Sequence, residues 1–450
     1  MERPAERGGG PLQAVDRLAG PAATYGLAAL ILTLPLEFTS VWLHQQLSRF
    51  VLGVTAVAFI YLVVRRRRTV VVPRTASVWL LAAYVLVSLL SWAITRAPGS
   101  SSSVLDVVAY PLVGLLVVNL AVTEGDHRRA WLAFLVSGLG VALIGSLLYF
   151  THTAIWTPNP VVAARLNITF GDPNITARFL TLCGCVAVLM FAARQAPPWL
   201  AAAAGMACAA VLPLTLSRSG LALFIVSVVL AALVAFQHRR AAAIAGLILL
   251  VFAASTTVNP NTNMRAVGAV QTLVAAITGT ASNMSAPAGA PQGGVALEDN
   301  RKYLVAAGLR MFQDHPALGV GFGGYQHALL TEYHAFLPAA PLSQLDTLSH
   351  SSLVTVMAEQ GVFGALIFLG FLILLAREAL RARQRRDAWS AWAVIPATLI
   401  VPIFLYSQFE GRFIQEPYFW LALGLFYAAD FRARQLARQP VPAETARRAA

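Results

Sequence analysis

The chain has 450 residues, of which 58% are hydrophobic and only 12% are charged. A soluble protein carries roughly twice that charged fraction, so the composition excludes an ordinary soluble enzyme. The formal net charge of +13 is divided among short clusters between apolar segments, which is typical of membrane topology and not of nucleic-acid binding.

Apolar segments long enough to cross a hydrocarbon core of ~30 Å recur along the whole chain. Within lipid they must be helices, because each backbone N–H and C=O needs a partner inside the segment. The sequence therefore predicts an all-α polytopic membrane protein with about twelve transmembrane helices. The predicted spans are residues 23–40, 48–64, 75–95, 106–122, 131–150, 174–192, 198–215, 220–236, 241–257, 351–376, 388–406 and 417–430.

Basic clusters fall in connections that share one side of the membrane under this span count. They are Arg65–Arg68, His127–Arg129, His238–Arg240, Arg377–Arg386 and Arg432–Arg448. By the positive-inside rule, these connections and both termini are cytoplasmic, and contact with anionic lipid head groups accounts for their charge. The three cysteines lie inside predicted spans, where they read as small buried apolar residues.

The spans divide the chain into four parts. Residues 1–257 hold transmembrane helices one to nine, and residues 258–350 form one large periplasmic loop containing short helices. Residues 351–430 hold transmembrane helices ten to twelve, and residues 431–450 form a basic cytoplasmic tail. Because the polar residues concentrate in the large loop, we expect the chemistry there.

The second part of this loop predicts a helix followed by a turn. Asp299 or Asn300 is expected to act as the N-cap, and apolar residues then recur at helical spacing. The helix should stop at Asp314–Pro316, before the glycine-rich run Gly319–Tyr325. No strand precedes these glycines, so they do not indicate dinucleotide binding, and we expect them to pack tightly on a helix.

Several arginines lie at the periplasmic edge, where the positive-inside rule disfavours them. Arg218 occupies a connection so short that its charge must lie at the mouth of the bundle. Arg178 lies one turn inside a span, where an ionisable group usually faces a cavity. Arg301 and Lys302 are expected in the first helical turn, beside free N–H groups that attract anions. Together they predict a basic cavity for a phosphate or diphosphate, although a surface ion pair remains the simpler alternative for each arginine.

His350 lies where the large loop re-enters the membrane, at the head of a predicted span. Below it, Ser351, Thr355 and Glu359 are four residues apart and form one polar stripe, with Glu359 about 13 Å deeper. Gly361 and the nearby Gly364 are expected to allow close helix contact. A lone interfacial histidine is often structural, but one beside an anion site is a candidate for acid–base work.

The run from His350 to Gly364 resembles the signature of the O-antigen ligase and O-antigen polymerase superfamily, with a histidine, a small polar residue and then Glu-x-Gly-x-x-Gly. Three further elements resemble that family in the right order. They are Phe170–Asn174, Leu216–Gly220 and Arg301–Gly323, the last of which includes Asp314-His-Pro316-Ala-Leu-Gly. The resemblance covers about residues 170–370.

This resemblance implies an enzyme of the bacterial inner membrane, a glycosyltransferase with a periplasmic active site. The length and the single dominant late loop favour an O-antigen ligase. Such an enzyme transfers O-polysaccharide from undecaprenyl diphosphate to a sugar hydroxyl of the lipid A–core in lipopolysaccharide biosynthesis. An O-antigen polymerase of the same superfamily is the alternative, and a lipid-linked saccharide transporter or flippase is the alternative from another class. The partners are then the lipid-linked donor, the lipid A–core acceptor and membrane lipids, with no nucleic acid.

The candidate roles follow from the donor's diphosphate leaving group. Arg218 and Arg301 are predicted to bind the diphosphate, and His350 is the predicted catalytic base in an inverting displacement. The second-tier substrate-binding candidates are Arg178, Arg310, Arg412, Asn174 and Glu359. We expect structural hydrogen bonding to be the simpler role for Glu359 and helix capping to be the simpler role for Asp172 and Asn174. No paired acidic motif for a divalent ion is found in the sequence, so we predict no metal and no cofactor.

Overall fold

The computed structural model describes residues 11–156, 165–258, 296–337, 348–411 and 413–438. Every regular element among these residues is a helix, which confirms the all-α prediction. Two predicted site residues are not fully described. Arg412 lies outside the described residues, and so does the side chain of Arg301.

The described residues contain fifteen α-helices. In chain order they are α1 (Pro11–Thr33), α2 (Thr39–Leu43), α3 (Leu47–Val64), α4 (Ala76–Thr95), α5 (Ser101–Leu120), α6 (Glu124–Thr151), α7 (Pro173–Ala192), α8 (Pro198–Val211), α9 (Arg218–Val234), α10 (His238–Val258), α11 (Ala296–Asp314), α12 (Tyr325–Thr331), α13 (Ser352–Arg385), α14 (Ser390–Glu410) and α15 (Pro417–Ala437). Short 3₁₀ turns lie at Leu212–Thr215 and His334–Phe336.

Each predicted span coincides with a helix. Within the described residues, nine helices are long and apolar enough to cross a membrane. Two shorter apolar helices, Leu18–Thr33 and Arg218–Val234, and α15 account for the other three predicted spans. The chain is therefore a polytopic helical membrane protein.

The first span was predicted at residues 23–40, and its predicted C-terminal end is wrong. The helix α1 stops at Thr33, just before Leu34 and Pro35. Proline has no N–H for the helix ladder and disfavours helical geometry in the residue before it, so the helix ends there. Glu37 therefore lies in the turn between α1 and α2 and not in a membrane-spanning helix.

The helix of the large loop begins earlier than predicted. The helix α11 starts at Ala296, so Asp299 and Asn300 lie inside it and the prediction that one of them is the N-cap is wrong. Arg301 and Lys302 consequently fall beyond the first turn, away from the free N–H groups that were expected to support an anion site. The other end of the helix, at Asp314, is as predicted.

The centre of the bundle is formed by α7 and α15. In the apolar part of α7, 89% of the residues are buried. Small residues permit this close packing, as expected for helices in lipid. Gly138 of α6 lies against Cys183 of α7, and Gly424 of α15 lies against Val117 of α5. All three cysteines are buried and free, as the sequence predicted.

The described residues of the predicted basic clusters gather at one end of the bundle, which we call the basic end. Arg128 of α6 donates a hydrogen bond to the Gln195 carbonyl, and Arg383 of α13 donates to the Val234 carbonyl at the end of α9. Arg385 of α13 forms an ion pair with an aspartate near the end of α15. These contacts tie the helix ends together beneath the clusters.

The helix α13 is broken at Gly361, whose φ of 62° and ψ of −156° are not helical. The break leaves backbone groups available, and the loop after α11 bonds to them. Val320 N–H donates to the Ala358 carbonyl (2.8 Å), and Gly321 N–H donates to the Glu359 carbonyl (3.1 Å). Gly361 thus admits a loop and not a neighbouring helix, so the prediction of close helix contact is wrong for this residue.

The glycine-rich turn packs on this helix as predicted. Gly319, Gly321 and Gly323 all have positive φ, a conformation that costs other residues about 1–2 kcal/mol. The turn leads into α12, whose first N–H, that of Tyr325, bonds to the carboxylate of Glu359 (3.2 Å). This arrangement fixes α11 and α12 against the outer part of α13.

Candidate functional site

His350 lies immediately before α13, at the end of the bundle opposite the basic clusters. Ser351 is the N-cap of α13, because its hydroxyl accepts a hydrogen bond from the Val354 N–H. The buried Ser349 hydroxyl bonds to the Ser351 backbone and to Thr355. His350 itself has a φ of 59°, so its backbone is strained between two serines that are held firmly. The predicted place of His350 at the head of this helix is confirmed.

The imidazole of His350 is oriented by α14. Its Nδ1 lies 3.1 Å from the carbonyl oxygen of Phe409. A carbonyl oxygen can only accept a hydrogen bond, so Nδ1 must carry the proton. In a neutral imidazole the basic lone pair is then on Nε2, which is the nitrogen that can take up a proton. The half-buried side chain is accessible from the outside of the bundle.

A hydrogen-bonded seam joins α13 to the last turn of α14. The hydroxyl of Ser351 donates to Gln408 Oε1 (3.0 Å), and the hydroxyls of Ser352 and Ser407 lie 2.8 Å apart. Gly411 completes the seam with a φ of 76°, and an added Cβ there would lie 3.2 Å from the His350 backbone nitrogen. The position of His350 therefore depends on the position of the end of α14.

Arg178 of α7 binds that same end of α14. Its guanidinium forms ion pairs with Glu410 and with Glu416, and all three side chains are at most 15% exposed. Glu416 is also the N-cap of α15. Arg178 thus joins α7, α14 and α15 directly beside Phe409, which contacts the histidine. These two carboxylates neutralise the positive charge of Arg178, so that charge is not available to a substrate phosphate.

A third group of polar residues lies at the start of α7 and α9. The side-chain oxygen of Asn174 accepts hydrogen bonds from Arg165 (2.8 Å) and from the Ser217 hydroxyl (2.9 Å). Ser217 is the N-cap of α9, and the half-buried Arg218 is the first residue of that helix. Asp172 caps α7, as the sequence predicted, whereas the same expectation is wrong for Asn174, which lies inside the first turn and gives its N–H to Asp172.

Tyr406 of α14 links these groups. Its hydroxyl lies 2.8 Å from the hydroxyl of Thr181 of α7 and 3.4 Å from the Gly220 carbonyl of α9. One turn further along α14, Phe409 contacts His350 and Glu410 contacts α7. The starts of α7, α9 and α13 therefore meet around the end of α14. We call this end of the molecule the histidine end.

Glu37 adds a titratable group to the histidine end. It lies in the turn after α1, near the carboxylate of Glu416 and near Arg178. Burial, with a smaller contribution from the Glu416 carboxylate, raises the pKa of Glu37 to about 7. This carboxyl can therefore change its charge near neutral pH.

The remaining predicted residues lie elsewhere. Arg310 forms an i,i+4 ion pair with Asp314 on the surface of α11 and is 55% exposed. Glu359 is buried, and it bonds to the first N–H of α12 instead of reaching the histidine. Within the described residues, no three His, Cys, Asp or Glu side chains lie close enough together to hold a metal ion.

Sequence reasoning missed Glu410 and Glu416. A signal for the glutamates was present, because an arginine inside a span requires an opposite charge nearby. Glu410 and Glu416 flank the connection between the last two spans on the side where Arg178 lies. The sequence alone gave no indication that this connection is next to α7.

The fold and this site define a polytopic helical membrane protein with a polar histidine–arginine site at one end of its bundle. Residues 201–369 match the family model described as O-antigen ligase. This region contains Arg218, Arg301, Arg310, His350 and Glu359, and the match confirms the resemblance to the O-antigen ligase and polymerase superfamily. Members of this family are membrane glycosyltransferase-like enzymes that act on polysaccharides and lipid-linked substrates. No curated protein matches the chain.

Proposed function

We propose that this protein is an O-antigen ligase. It transfers O-polysaccharide from undecaprenyl diphosphate to a sugar hydroxyl of the lipid A–core during lipopolysaccharide biosynthesis. The observation that carries the proposal is the orientation of His350. Its Nδ1 donates a hydrogen bond to the Phe409 carbonyl, so in the neutral imidazole the basic lone pair belongs to Nε2, at the accessible end of the bundle. The family match over residues 201–369 supports the same class of reaction.

The chemistry needs one base and one anion-binding group. The acceptor hydroxyl oxygen attacks the anomeric carbon of the donor, and its proton passes to Nε2 of His350. The bond from that carbon to the diphosphate oxygen breaks, so the configuration inverts and undecaprenyl diphosphate leaves. Arg218 and Arg301 bind the diphosphate and offset the charge that develops on it. Because guanidinium groups can perform this task, the reaction proceeds without a metal ion.

The second-tier residues then support this arrangement. Arg178 positions the end of α14 against α7, and Asn174 positions the start of α7 against the start of α9. Their hydrogen bonds and ion pairs support this role. Glu359 positions the glycine-rich turn. Arg310 and Arg412 remain candidates for substrate contact, Arg310 because it is exposed on α11.

The proposed orientation follows from the two ends of the bundle. The basic end faces the cytoplasm, since arginine-rich connections remain on that side of the inner membrane. The histidine end then faces the periplasm, where residues 258–350 form the large loop. Residues 1–257 and 351–430 hold the transmembrane helices, and residues 431–450 form the cytoplasmic tail.

The first experiment is a transfer assay with purified protein, undecaprenyl-diphosphate-linked O-polysaccharide and lipid A–core, in the presence of a chelator. Transfer to the core is expected in the wild type. It should fall at least about 100-fold in His350→Ala, because general-base catalysis contributes that much. His334→Ala is the matched control, since His334 is exposed and its Nδ1 also lies beside a carbonyl, that of Thr331. Arg218→Ala tests diphosphate binding.

The outcomes distinguish the alternatives. Chains that lengthen on the undecaprenyl carrier, with no transfer to the core, would replace the ligase by an O-antigen polymerase. Saccharide that crosses the membrane in vesicles, with no glycosyl transfer, would indicate a transporter or flippase. Wild-type transfer by a folded His350→Ala variant would remove His350 from the mechanism.

A further inference from the structure

The basic end contains a cavity that the transfer chemistry does not use. It has a volume of about 630 Å³ and lies between the ends of α9 and α13 and the starts of α10 and α14. Its polar lining includes His238, Arg383, Gln384, Arg386 and Ser390. Four helix ends thus enclose a basic cavity on the side of the bundle opposite His350.

The two arginines that line this cavity, Arg383 and Arg386, differ from Arg385 in their ion pairs. Arg385 forms ion pairs with Asp387 and with Asp430. Within the described part of the chain, neither Arg383 nor Arg386 forms an ion pair with a carboxylate. Asp387 also lines the cavity, but its carboxylate is already bound to Arg385. The cavity therefore carries excess positive charge.

Helix ends do not cancel this charge. The C-termini of α9 and α13 each supply roughly half a negative charge, and the N-termini of α10, which begins at His238, and of α14 each supply roughly half a positive charge. These contributions are opposite and offset one another, so the cavity keeps the positive charge of Arg383 and Arg386, although Arg383 Nε also donates a hydrogen bond to the Val234 carbonyl. The free N–H groups of α10 are suited to a phosphate.

A second cavity adjoins the first and is apolar. It has a volume of about 150 Å³, and Phe236 and Ala391 line both cavities. Its other walls include Leu189, Val394 and Ile395 of α7 and α14. At the rim of the first cavity, Phe236 is 40% exposed and Leu380 is 59% exposed. Exposed apolar side chains beside arginines are characteristic of the boundary between head groups and hydrocarbon.

From these two adjoining cavities we propose a binding site for an anionic glycerophospholipid at the basic end. Arg383, Arg386 and the start of α10 bind the phosphate of the head group, and the apolar cavity receives the first part of an acyl chain. A basic cavity directly beside an apolar one matches the charged head group and the adjoining acyl chains of such a lipid. A free phosphate would leave the apolar cavity empty, and a zwitterionic lipid would leave the positive charge unmatched. The site is independent of the proposed transferase function.

The test measures lipid binding to the purified full-length protein in neutral detergent by native mass spectrometry. The probes are phosphatidylglycerol, phosphatidylcholine with the same acyl chains, and glycerol 3-phosphate. Arg383→Gln combined with Arg386→Gln should weaken phosphatidylglycerol binding at least about tenfold, since each surface cation contributes about 1 kcal/mol to anionic lipid binding. Arg377→Gln combined with Arg381→Gln is the matched control, because these residues are exposed on the same helix and do not line the cavity.

A third variant tests the acyl chain. Ala391→Phe places a bulky side chain in the wall that both cavities share and should weaken phosphatidylglycerol binding several-fold without removing a charge. Equal phosphatidylglycerol binding by the cavity variant and the control variant would overturn the proposal. So would phosphatidylcholine binding as tight as that of phosphatidylglycerol. Glycerol 3-phosphate binding as tight as the lipid would show a soluble phosphate site instead.

Discussion

The two halves of α13 are positioned in different ways, although one stretch of sequence forms both. Before Gly361, the buried side chains of Glu359 and Gln360 bond to the start of α12 and to α4. After Gly361, Leu366 and Ile373 are more than half exposed on the lipid-facing surface. The first half is held by hydrogen bonds of fixed geometry. The lipid-facing side of the second half is set by apolar composition, and polar contacts return only near its end, at Glu378, Arg383 and Arg385.

This difference explains where the molecule tolerates change. Lipid accepts almost any apolar side chain, so the exposed face of the second half of α13 depends on hydropathy more than on particular residues. The half beside His350 depends on individual buried polar groups, and each of these is costly to leave without a partner. Substitutions there should therefore alter both stability and the position of the histidine.

The largest stability effect is expected when the ion pairs of Arg178 are removed, because they hold the end of α14 beside the first half of α13. Arg178→Gln leaves Glu410 and Glu416 buried without their counter-charge, which should cost about 3–5 kcal/mol. Arg434→Gln is the control, since Arg434 is 42% exposed in its ion pair with Asp430 and should cost at most about 1 kcal/mol. The thermal unfolding of detergent-solubilised variants measures the difference. A stable Arg178→Gln variant that loses transfer activity would instead place Arg178 in substrate binding.

A substitution at the break itself compares the two halves directly. At Gly361, an added Cβ would overlap the backbone of Ala317, and the φ and ψ values are accessible almost only to glycine. Gly361→Ala should therefore destabilise the protein by about 3 kcal/mol. Gly370→Ala in the second half meets only the end of the Leu80 side chain and should change stability little. Equal unfolding temperatures for the two variants would contradict the role of the break.

The smallest effect is expected from Glu37. Its pKa of about 7 exceeds its ordinary value of 4.5, so the folded protein keeps a proton that the unfolded chain loses. Stability should therefore fall as the pH rises from about 4.5 to 7. Glu37→Gln should flatten this dependence and raise the unfolding temperature at pH 8 relative to the wild type. The exposed Glu332→Gln serves as control, and an unchanged pH dependence in Glu37→Gln would contradict the assignment.

The positions of the spans were predictable because lipid imposes a length and a composition on every crossing segment. Helix ends were predictable where a local signal exists, such as the cap at Asp172 or the stop at Asp314. The predicted helix ends were wrong where two local signals competed. Asp299 is a good cap residue, but α11 begins before it, and the apolar run to residue 40 did not override Pro35.

The candidate base was also predictable, because the position of His350 between a loop and a span can be read locally. Its environment was not predictable. The contact with Phe409 and the ion pairs of Arg178 join residues that are 59 and 232 positions apart in the chain. No local pattern encodes such a distance, so neither the orientation of the histidine nor the neutralisation of Arg178 could be read from the sequence.

The sequence by itself determined the all-helical membrane architecture, the gathering of basic clusters and the resemblance to O-antigen ligases. These features depend on composition, periodicity and short motifs, which are local. Only the tertiary structure decided which helix ends meet. It placed the end of α14 against His350 and the loop after α11 in the break at Gly361. It also brought a basic cavity and an apolar cavity side by side. The physical reason is that hydropathy places helices in the membrane, whereas buried polar contacts between distant segments choose their neighbours.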